Sequence, residues 1–339
     1  MEGVVGFQSE RADFFMDGAE AFMPSTLTLT NSLFIYEEMS AAERLRLQFG
    51  ARYDHISVES VDNPTFGPAR SRSFDNLSAS AGIVWSPTER YSAALTMTYA
   101  QRAPSGQELF SNGPHAATGS FLVGDPSLGV ENSLSFDLNL RKRTGWLTGS
   151  IGGYYSRYGN YLGLLPTGVV RLVGPDAFNE FVYRGIGAEF LGAELEAQIH
   201  LLHPVHEEKD QHAHTNLHWE IRADAVRARN ADGGGSLPRI PPFHLTNALV
   251  FERGGLTARL EGIYAAPQHR TAAAELPTDS YFLLNASLNY RFQLQGTTCD
   301  LFVKGVNLTD TVAREHTSFL KDQLPLAGRG VMLGMKLAF

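Results

Sequence analysis

The last nine residues of the chain are Val331-Met332-Leu333-Gly334-Met335-Lys336-Leu337-Ala338-Phe339, and every odd-numbered position in this stretch is large and apolar. The even-numbered positions include a glycine, a lysine and an alanine. A strand with this alternation has one apolar face and one more polar face, because successive side chains point to opposite sides. The stretch therefore predicts a β-strand with its apolar face turned toward lipid or a protein core.

The same alternation recurs upstream, in residues 44–53, 91–100, 134–141, 256–264 and 282–292. Aromatic residues lie near the ends of two of these segments, as the pairs Tyr91/Tyr99 and Phe282/Tyr290. Membrane barrels carry such aromatic girdles at both interfaces. Hydrophobic residues make up 43% of the chain, as expected if only every second strand residue meets lipid. No segment approaches the ~18 consecutive apolar residues of a membrane-spanning helix.

The connections between these segments alternate in length. Short ones are predicted at 40–42, 87–89, 143–145, 253–255 and 295–297, and long ones at 15–25, 58–71, 103–130, 163–182, 230–241, 270–280 and 308–328. Outer-membrane barrels have short periplasmic turns and long external loops, whereas a soluble β-sandwich gives no reason for this segregation. We therefore predict an all-β fold, an antiparallel transmembrane β-barrel portion of about fourteen strands.

Composition and the absence of common motifs argue against two classes of function, nucleic-acid binding and catalysis. The net charge of −8 argues against nucleic acid as a partner. The sequence contains no G-x-S-x-G, P-loop or C-x-x-C motif, so an enzyme is not expected. No signal peptide precedes Val4, and we expect either that it was removed or that the chain is incomplete at its N-terminus.

Several segments resemble those of TonB-dependent outer-membrane receptors. Residues 101–110, QRAPSGQELF, resemble a "RAPS…ELF" box of that family, and Gly124–Leu128 with Glu131 resembles a second box. Further similarity lies in residues 237–242, 301–310 and 325–329. The order and spacing of these segments, taken together, are specific to the family.

The resemblance implies a plugged barrel of about 22 strands that imports a scarce nutrient across the outer membrane of a Gram-negative bacterium. It implies outer-membrane lipid, a small ligand and the TonB energy-coupling complex as partners, and no required cofactor. Residues 1–339 are expected to be the C-terminal part of such a barrel. The N-terminal plug, the segment that engages TonB and the first strands are expected to be missing.

Six of the 11 histidines lie between residues 200 and 218. Zinc binds imidazole and carboxylate ligands, and Glu207, Glu208 and Asp210 are interleaved with the histidines. Parity places the even-numbered histidines on the lumenal side of a hairpin centred on Lys209, with His200 opposite His218. The candidate metal ligands are His200, His206, His212, His214 and His218. A solvated polar turn that is rich in histidine is the alternative interpretation. The resemblance is closest to receptors of the family associated with zinc uptake, which adds support to zinc as a bound metal.

The sequence also leaves ligands other than a metal ion as alternatives. In haem receptors of the family a histidine lies between two similar boxes, and His115 occupies that interval. Arg102, Glu108 and His115 are therefore candidate residues of a ligand-binding loop. A structural interpretation of the same segment is that Ser105 caps a short helical turn through Glu108. A siderophore receptor and a passive porin-like pore are further alternatives.

Overall fold

The computed structural model describes residues 2–18, 20–202 and 215–338. Fourteen strands carry the fold, and a short helix α1 (Gly106–Phe110) and two short strands, β6 (Asn112–His115) and β7 (Ser120–Val123), lie within one loop. The fourteen are β1 Glu2–Phe14, β2 Thr26–Ala42, β3 Leu45–Ser60, β4 Ser71–Thr88, β5 Tyr91–Arg102, β8 Glu131–Lys142, β9 Leu147–Val173, β10 Asp176–His200, β11 Asn216–Asn230, β12 His244–Arg253, β13 Leu256–Ala265, β14 Tyr281–Leu294, β15 Thr297–Val306 and β16 Gly330–Ala338. Among the described residues no helix is long and apolar enough to cross a membrane.

The fourteen strands form one antiparallel sheet in chain order, in which β5 pairs directly with β8. Strand β1 is paired with β2 and strand β16 with β15, so the described sheet has two free edges. The predicted all-β class and the predicted number of strands are both confirmed. The described residues contain no separate plug domain.

Connection length alternates from one end of the sheet to the other. At the short-turn end the described strands are joined by residues 43–44, 89–90, 143–146, 254–255 and 295–296. At the long-loop end they are joined by residues 15–25, 61–70, 103–130, 231–243, 266–280 and 307–329. This segregation confirms the predicted pattern at all but one of the predicted long connections.

The long loop predicted at 163–182 is wrong. Strands β9 and β10 continue through this region as a hairpin of 27 and 25 residues that turns at Gly174, where φ is 58°. Gly163, Pro166 and Gly168 lie in this region, and residues of these types usually interrupt strands. The ladder accommodates them with a register shift opposite Asn179 and Phe181, and β-branched residues continue the strand beyond it.

The two faces of the sheet differ in the way that the alternation predicts. Outward-pointing residues such as Leu260 and Leu288 remain nearly half exposed, whereas the opposite face buries polar residues such as Ser32 and Asn76. The girdle pairs Tyr91/Tyr99 and Phe282/Tyr290 are all exposed on the apolar face. The three tryptophans of the chain, Trp85, Trp146 and Trp219, are exposed near the short-turn end. The apolar face therefore has aromatic residues near both ends.

The long loops pack against the inner face of the sheet. One apolar cluster joins Val58 of β3 and Phe74 of β4 to Leu109 of α1 and to Leu162 and Tyr183 of the β9–β10 hairpin. In the sheet, β5 and β8 separate the pair β3–β4 from the pair β9–β10. The sheet must therefore curl for both pairs to reach the same loop. The loops therefore lie inside the curvature, at the long-loop end.

Candidate functional site

Loop 103–130 is fixed by the residues that the sequence singled out. Ser105 caps α1 through its side chain, and the Glu108 carboxylate accepts a hydrogen bond from the Ser105 N–H at 2.7 Å, forming a capping box. Arg102, at the end of β5, donates to both oxygens of Glu108 at 2.8 and 2.9 Å and also to Glu131 of β8. We call these three residues, Arg102, Glu108 and Glu131, the loop latch.

The two carboxylates of the loop latch are largely buried, whereas Arg102 is partly exposed, and this setting perturbs the titration of Glu108. Burial by itself would raise the pKa of this carboxyl, but hydrogen bonds from Arg102 and from the Ser105 N–H outweigh burial and lower the pKa below its ordinary value. Since Arg102 and Glu108 bind each other, their geometry shows a loop-ordering role. The structural interpretation of this segment is confirmed, and a ligand-binding role for the two residues stays a prediction.

His115 lies in a different part of the same loop. Its ring packs against Phe22 of loop 15–25 with centroids 4.5 Å apart, and its Nδ1 is 2.9 Å from the Thr118 hydroxyl. Strand β7, which follows, pairs in parallel with residues 179–182 of β10 and so covers an edge of the hairpin. The described contacts of His115 are thus separate from those of the loop latch, and its role as a ligand residue stays a prediction.

A second group of contacts joins the remaining loops. The Arg239 guanidinium lies 4.2 Å from the ring centroid of Phe319 and 5.8 Å from that of Phe181. Its Nη2 also donates to the carbonyl oxygen of Leu164 at 3.2 Å. Burial lowers the pKa of Arg239. This stack ties loops 231–243 and 307–329 to the β9–β10 hairpin.

Glu275 connects the same stack to loop 266–280. Its carboxylate accepts from the Arg239 N–H at 2.8 Å and the Ala272 N–H at 2.9 Å, and it faces the buried His316 Nε2 at 3.4 Å. Burial opposes ionisation, but the nearby His316 ring and the hydrogen bonds from the two backbone groups lower the pKa of Glu275. Sequence reasoning missed Arg239, Glu275 and His316 as a group, because no local motif relates residues of three different loops.

At the short-turn end the structure brings together two of the predicted metal ligands. His200 and His218 are cross-strand partners in the β10–β11 ladder, with ring centroids 6.3 Å apart. His200 Nε2 is 3.0 Å from the Thr148 hydroxyl, and His218 Nε2 is 3.3 Å from Glu220 Oε1. The predicted pairing of His200 with His218 is confirmed.

The other predicted ligands, His206, His212 and His214, lie outside the described residues. Among the described residues no three His, Cys, Asp or Glu side chains are grouped closely enough to hold a metal ion. The described part of the candidate site is therefore the pair of imidazoles, with Glu220 in contact with His218 only. The metal-binding role of the five histidines stays a prediction.

A polar row on the inner face continues from the histidine pair. Glu220 of β11 accepts from Arg259 of β13 at 2.7 Å, and Arg259 also binds Glu261 at 2.8 Å. Asn285 of β14 donates to Glu261 at 3.2 Å. Three strands thus present linked charged and polar groups to the interior, which a polar lumen accommodates and a dry core would not.

Comparisons with known proteins agree with this architecture. A family profile described as "TonB dependent receptor-like, beta-barrel" matches residues 5–308. The structure is similar to that of the copper transporter OprC, with a TM-score of 0.74, 20% identity, and coverage of 92% of this chain and 48% of OprC.

Two further solved structures share the fold. The ferric citrate transporter FecA has a TM-score of 0.67 and 14% identity, covering 93% of this chain and 46% of FecA. The FrpB iron transporter from Neisseria meningitidis has a TM-score of 0.64 and 16% identity, covering 92% and 46%. The chain spans about half the length of these proteins. Because the family profile matches most of its length, the chain belongs to the TonB-dependent receptor β-barrel family, whose members are outer-membrane proteins of Gram-negative bacteria.

Proposed function

We propose that this chain is the barrel part of a TonB-dependent importer whose cargo is a divalent transition metal ion, preferentially zinc. The choice of a metal ion as cargo rests on one observation, the pairing of His200 with His218 on the inner face of the sheet. The remaining parts of the importer, including the contact with the TonB complex, belong to the whole receptor. The chain itself is not assigned a catalytic role or a required cofactor.

The donor set suits zinc better than the alkaline-earth ions. Neutral imidazole and carboxylate are common zinc ligands, whereas calcium and magnesium prefer shells made of oxygen. The two imidazoles make a partial donor set, and Glu220 contacts His218 only. The sequence supplies additional histidines in residues 203–214 to complete the shell.

The position of the pair fits a role late in transport. His200 and His218 lie at the short-turn end, which is the periplasmic end of barrels in this family. A metal bound there has already passed the external loops, so the pair receives cargo that leaves the lumen. The polar row from Glu220 to Asn285 provides ionisable groups along the wall above it. Several proteins of the same fold are described as transporters of copper, iron or ferric citrate, so the fold accommodates metal cargo.

Calorimetric titration of the full-length receptor with zinc tests the proposal. The test variant carries His200→Ala and His218→Ala, and a matched control carries His244→Ala and His269→Ala, which removes two histidines from other parts of the chain. We expect at least a tenfold loss of zinc affinity in the test variant and little change in the control. Affinity should also fall as the pH is lowered, because protons compete with the metal for imidazole.

Two outcomes would contradict the proposal. Equal zinc affinity in the test variant and in the wild type would show that the pair is not a ligand site. Equal affinity of the wild type for calcium and zinc would exclude the imidazole-based selectivity on which the choice of metal depends.

A further inference from the structure

A groove on the outer, apolar face of the sheet lies near the short-turn end. It is lined mainly by carbon atoms of β5, β8, β9 and β10, and its volume of about 400 Å³ lies within the range of small-molecule sites. The outward row that crosses it reads Tyr91, Lys142, Gly149 and Ala197, which are successive cross-strand partners. The two small residues lower the surface between larger neighbours, so the apolar face has a depression here.

The neighbouring rows form the walls of the depression. Two residues further from the turns along each strand, Leu140, Ile151 and Leu195 are successive partners on the same outward face. Gly149 has a φ of 151°, and a Cβ at this position would collide with the carbonyl oxygen of Glu196. The backbone therefore keeps the floor of the groove free of a side chain.

A cation is fixed at the rim of the groove. Lys142 is the last residue of β8, and its ammonium lies 5.9 Å from the ring centroid of Tyr91 and 5.8 Å from that of Trp146. An ammonium above two aromatic rings is held in place by their quadrupoles. Since Trp146 and Tyr91 belong to the aromatic band near the short-turn end, Lys142 lies at the depth where lipid headgroups meet the protein.

The turns beside the groove add further charge. Arg90 and Arg143 lie in the two turns next to Lys142, with Glu89 as the acidic residue between β4 and β5. Arg143 donates to the Ser92 hydroxyl at 3.1 Å, and because Ser92 follows the outward-facing Tyr91, this guanidinium lies toward the inner face. Lys142 is therefore the cation held at the rim, above a wall that is apolar.

We propose that this groove is a binding site for an anionic phospholipid of the periplasmic leaflet. One acyl chain occupies the depression over Gly149 and Ala197, and the headgroup phosphate accepts a hydrogen bond from the Lys142 ammonium. Charge complementarity selects the occupant, because an apolar floor with a cation at the interface matches a chain attached to an anionic headgroup. The site stabilises the barrel at this position by linking four neighbouring strands to one lipid molecule.

Native mass spectrometry of the full-length receptor in mild detergent tests the site, with phosphatidylglycerol and phosphatidylethanolamine as probes. Lys142→Gln should weaken binding of the first phosphatidylglycerol about fivefold, the effect expected of one lysine at a membrane surface. Ala197→Leu fills the depression and should weaken both lipids about tenfold, as expected if two methylene groups lose their contacts.

Matched controls carry the same two types of substitution at other positions. Lys336→Gln removes a lysine of β16, and Ala258→Leu enlarges an outward-facing alanine of β13 between Phe251 and Leu288. Both controls should bind phosphatidylglycerol as the wild type does. Glycerol 3-phosphate, which carries the phosphate without chains, should not compete at equal concentration.

The proposal is overturned if Lys142→Gln and Ala197→Leu bind phosphatidylglycerol as their controls do. It is also overturned if the wild type binds both lipids equally, since the cation at the rim would then select nothing. If Ala197→Leu fails to assemble, the Lys142→Gln comparison by itself decides between these results.

Discussion

An arginine introduced on each face of one strand tests which face meets lipid. Leu288 of β14 is 47% exposed on the apolar face, between the exposed aromatic residues Phe282 and Tyr290. Its cross-strand partners are Ala258 and Val303. The next residue, Asn289, points to the opposite face. Leu288→Arg and Asn289→Arg therefore place the same charge at one level of the barrel on opposite faces.

The depth of Leu288 sets the expected magnitude. It lies two residues from Tyr290, about 7 Å along the strand, and six residues from Phe282, about 20 Å along it. It therefore lies about halfway between the short-turn interface and the middle of the bilayer. An arginine on the lipid face costs about 2–4 kcal/mol at the midplane and about 0–1 kcal/mol near the interfaces. We expect Leu288→Arg to lower the free energy of unfolding by about 2 kcal/mol, roughly thirtyfold in the equilibrium constant.

Asn289→Arg should cost far less. Asn289 pairs with Thr257 and Phe302 across the ladder, on the face that carries the polar row. A charge there reaches water in the lumen, so the expected change is within about 0.5 kcal/mol.

Guanidinium unfolding of the full-length receptor in phospholipid vesicles, followed by tryptophan fluorescence, measures both variants. Heat resistance of the folded band on a gel provides a second readout. If Asn289→Arg destabilises the protein as much as Leu288→Arg, the assignment of the lipid-facing and lumenal faces of β14 is wrong.

Two further predictions concern the external loops. The lowered pKa of Glu108 means that its stabilisation of loop 103–130 is present above the ordinary glutamate value of ~4.3 and is lost as the pH falls through the lowered pKa. Limited proteolysis of this loop should therefore increase below about pH 4, and Glu108→Gln should remove the pH dependence; an unchanged dependence in the variant would contradict the loop latch. Arg239→Ala removes the contact with Phe319, which is worth ~1–2 kcal/mol for a partly desolvated pair, so hydrogen exchange in loop 307–329 should become about tenfold faster. Exchange at the wild-type rate would show that the stack does not order this loop.

The sequence by itself determined the features that depend on neighbouring residues. The period of two is a property of the extended backbone, so the lipid-facing positions of β5, β8, β13 and β14 follow from apolar spacing. The capping of a short helical turn by Ser105 involves only residues 105–108 and was predicted for the same reason, and the structure adds the return bond from Glu108. The pairing of His200 with His218 was predicted by assuming a hairpin centred on Lys209, since register and parity together fix which residues are opposite, and the ladder has this pairing.

Only the tertiary structure decided which distant segments meet. Leu164 and Arg239 are 75 residues apart in sequence, and Gln107 and Tyr183, which share a 2.8 Å hydrogen bond, are 76 apart. Strand β9 continues beyond Gly163 and pairs there with the first part of β10, because ladder pairing outweighs the local preference for a turn. Contacts of this kind are set by the curvature of the sheet and by loop packing on its inner face. A pattern confined to a few residues carries no information on either, so Arg239, Glu275 and His316 became a cluster only in three dimensions.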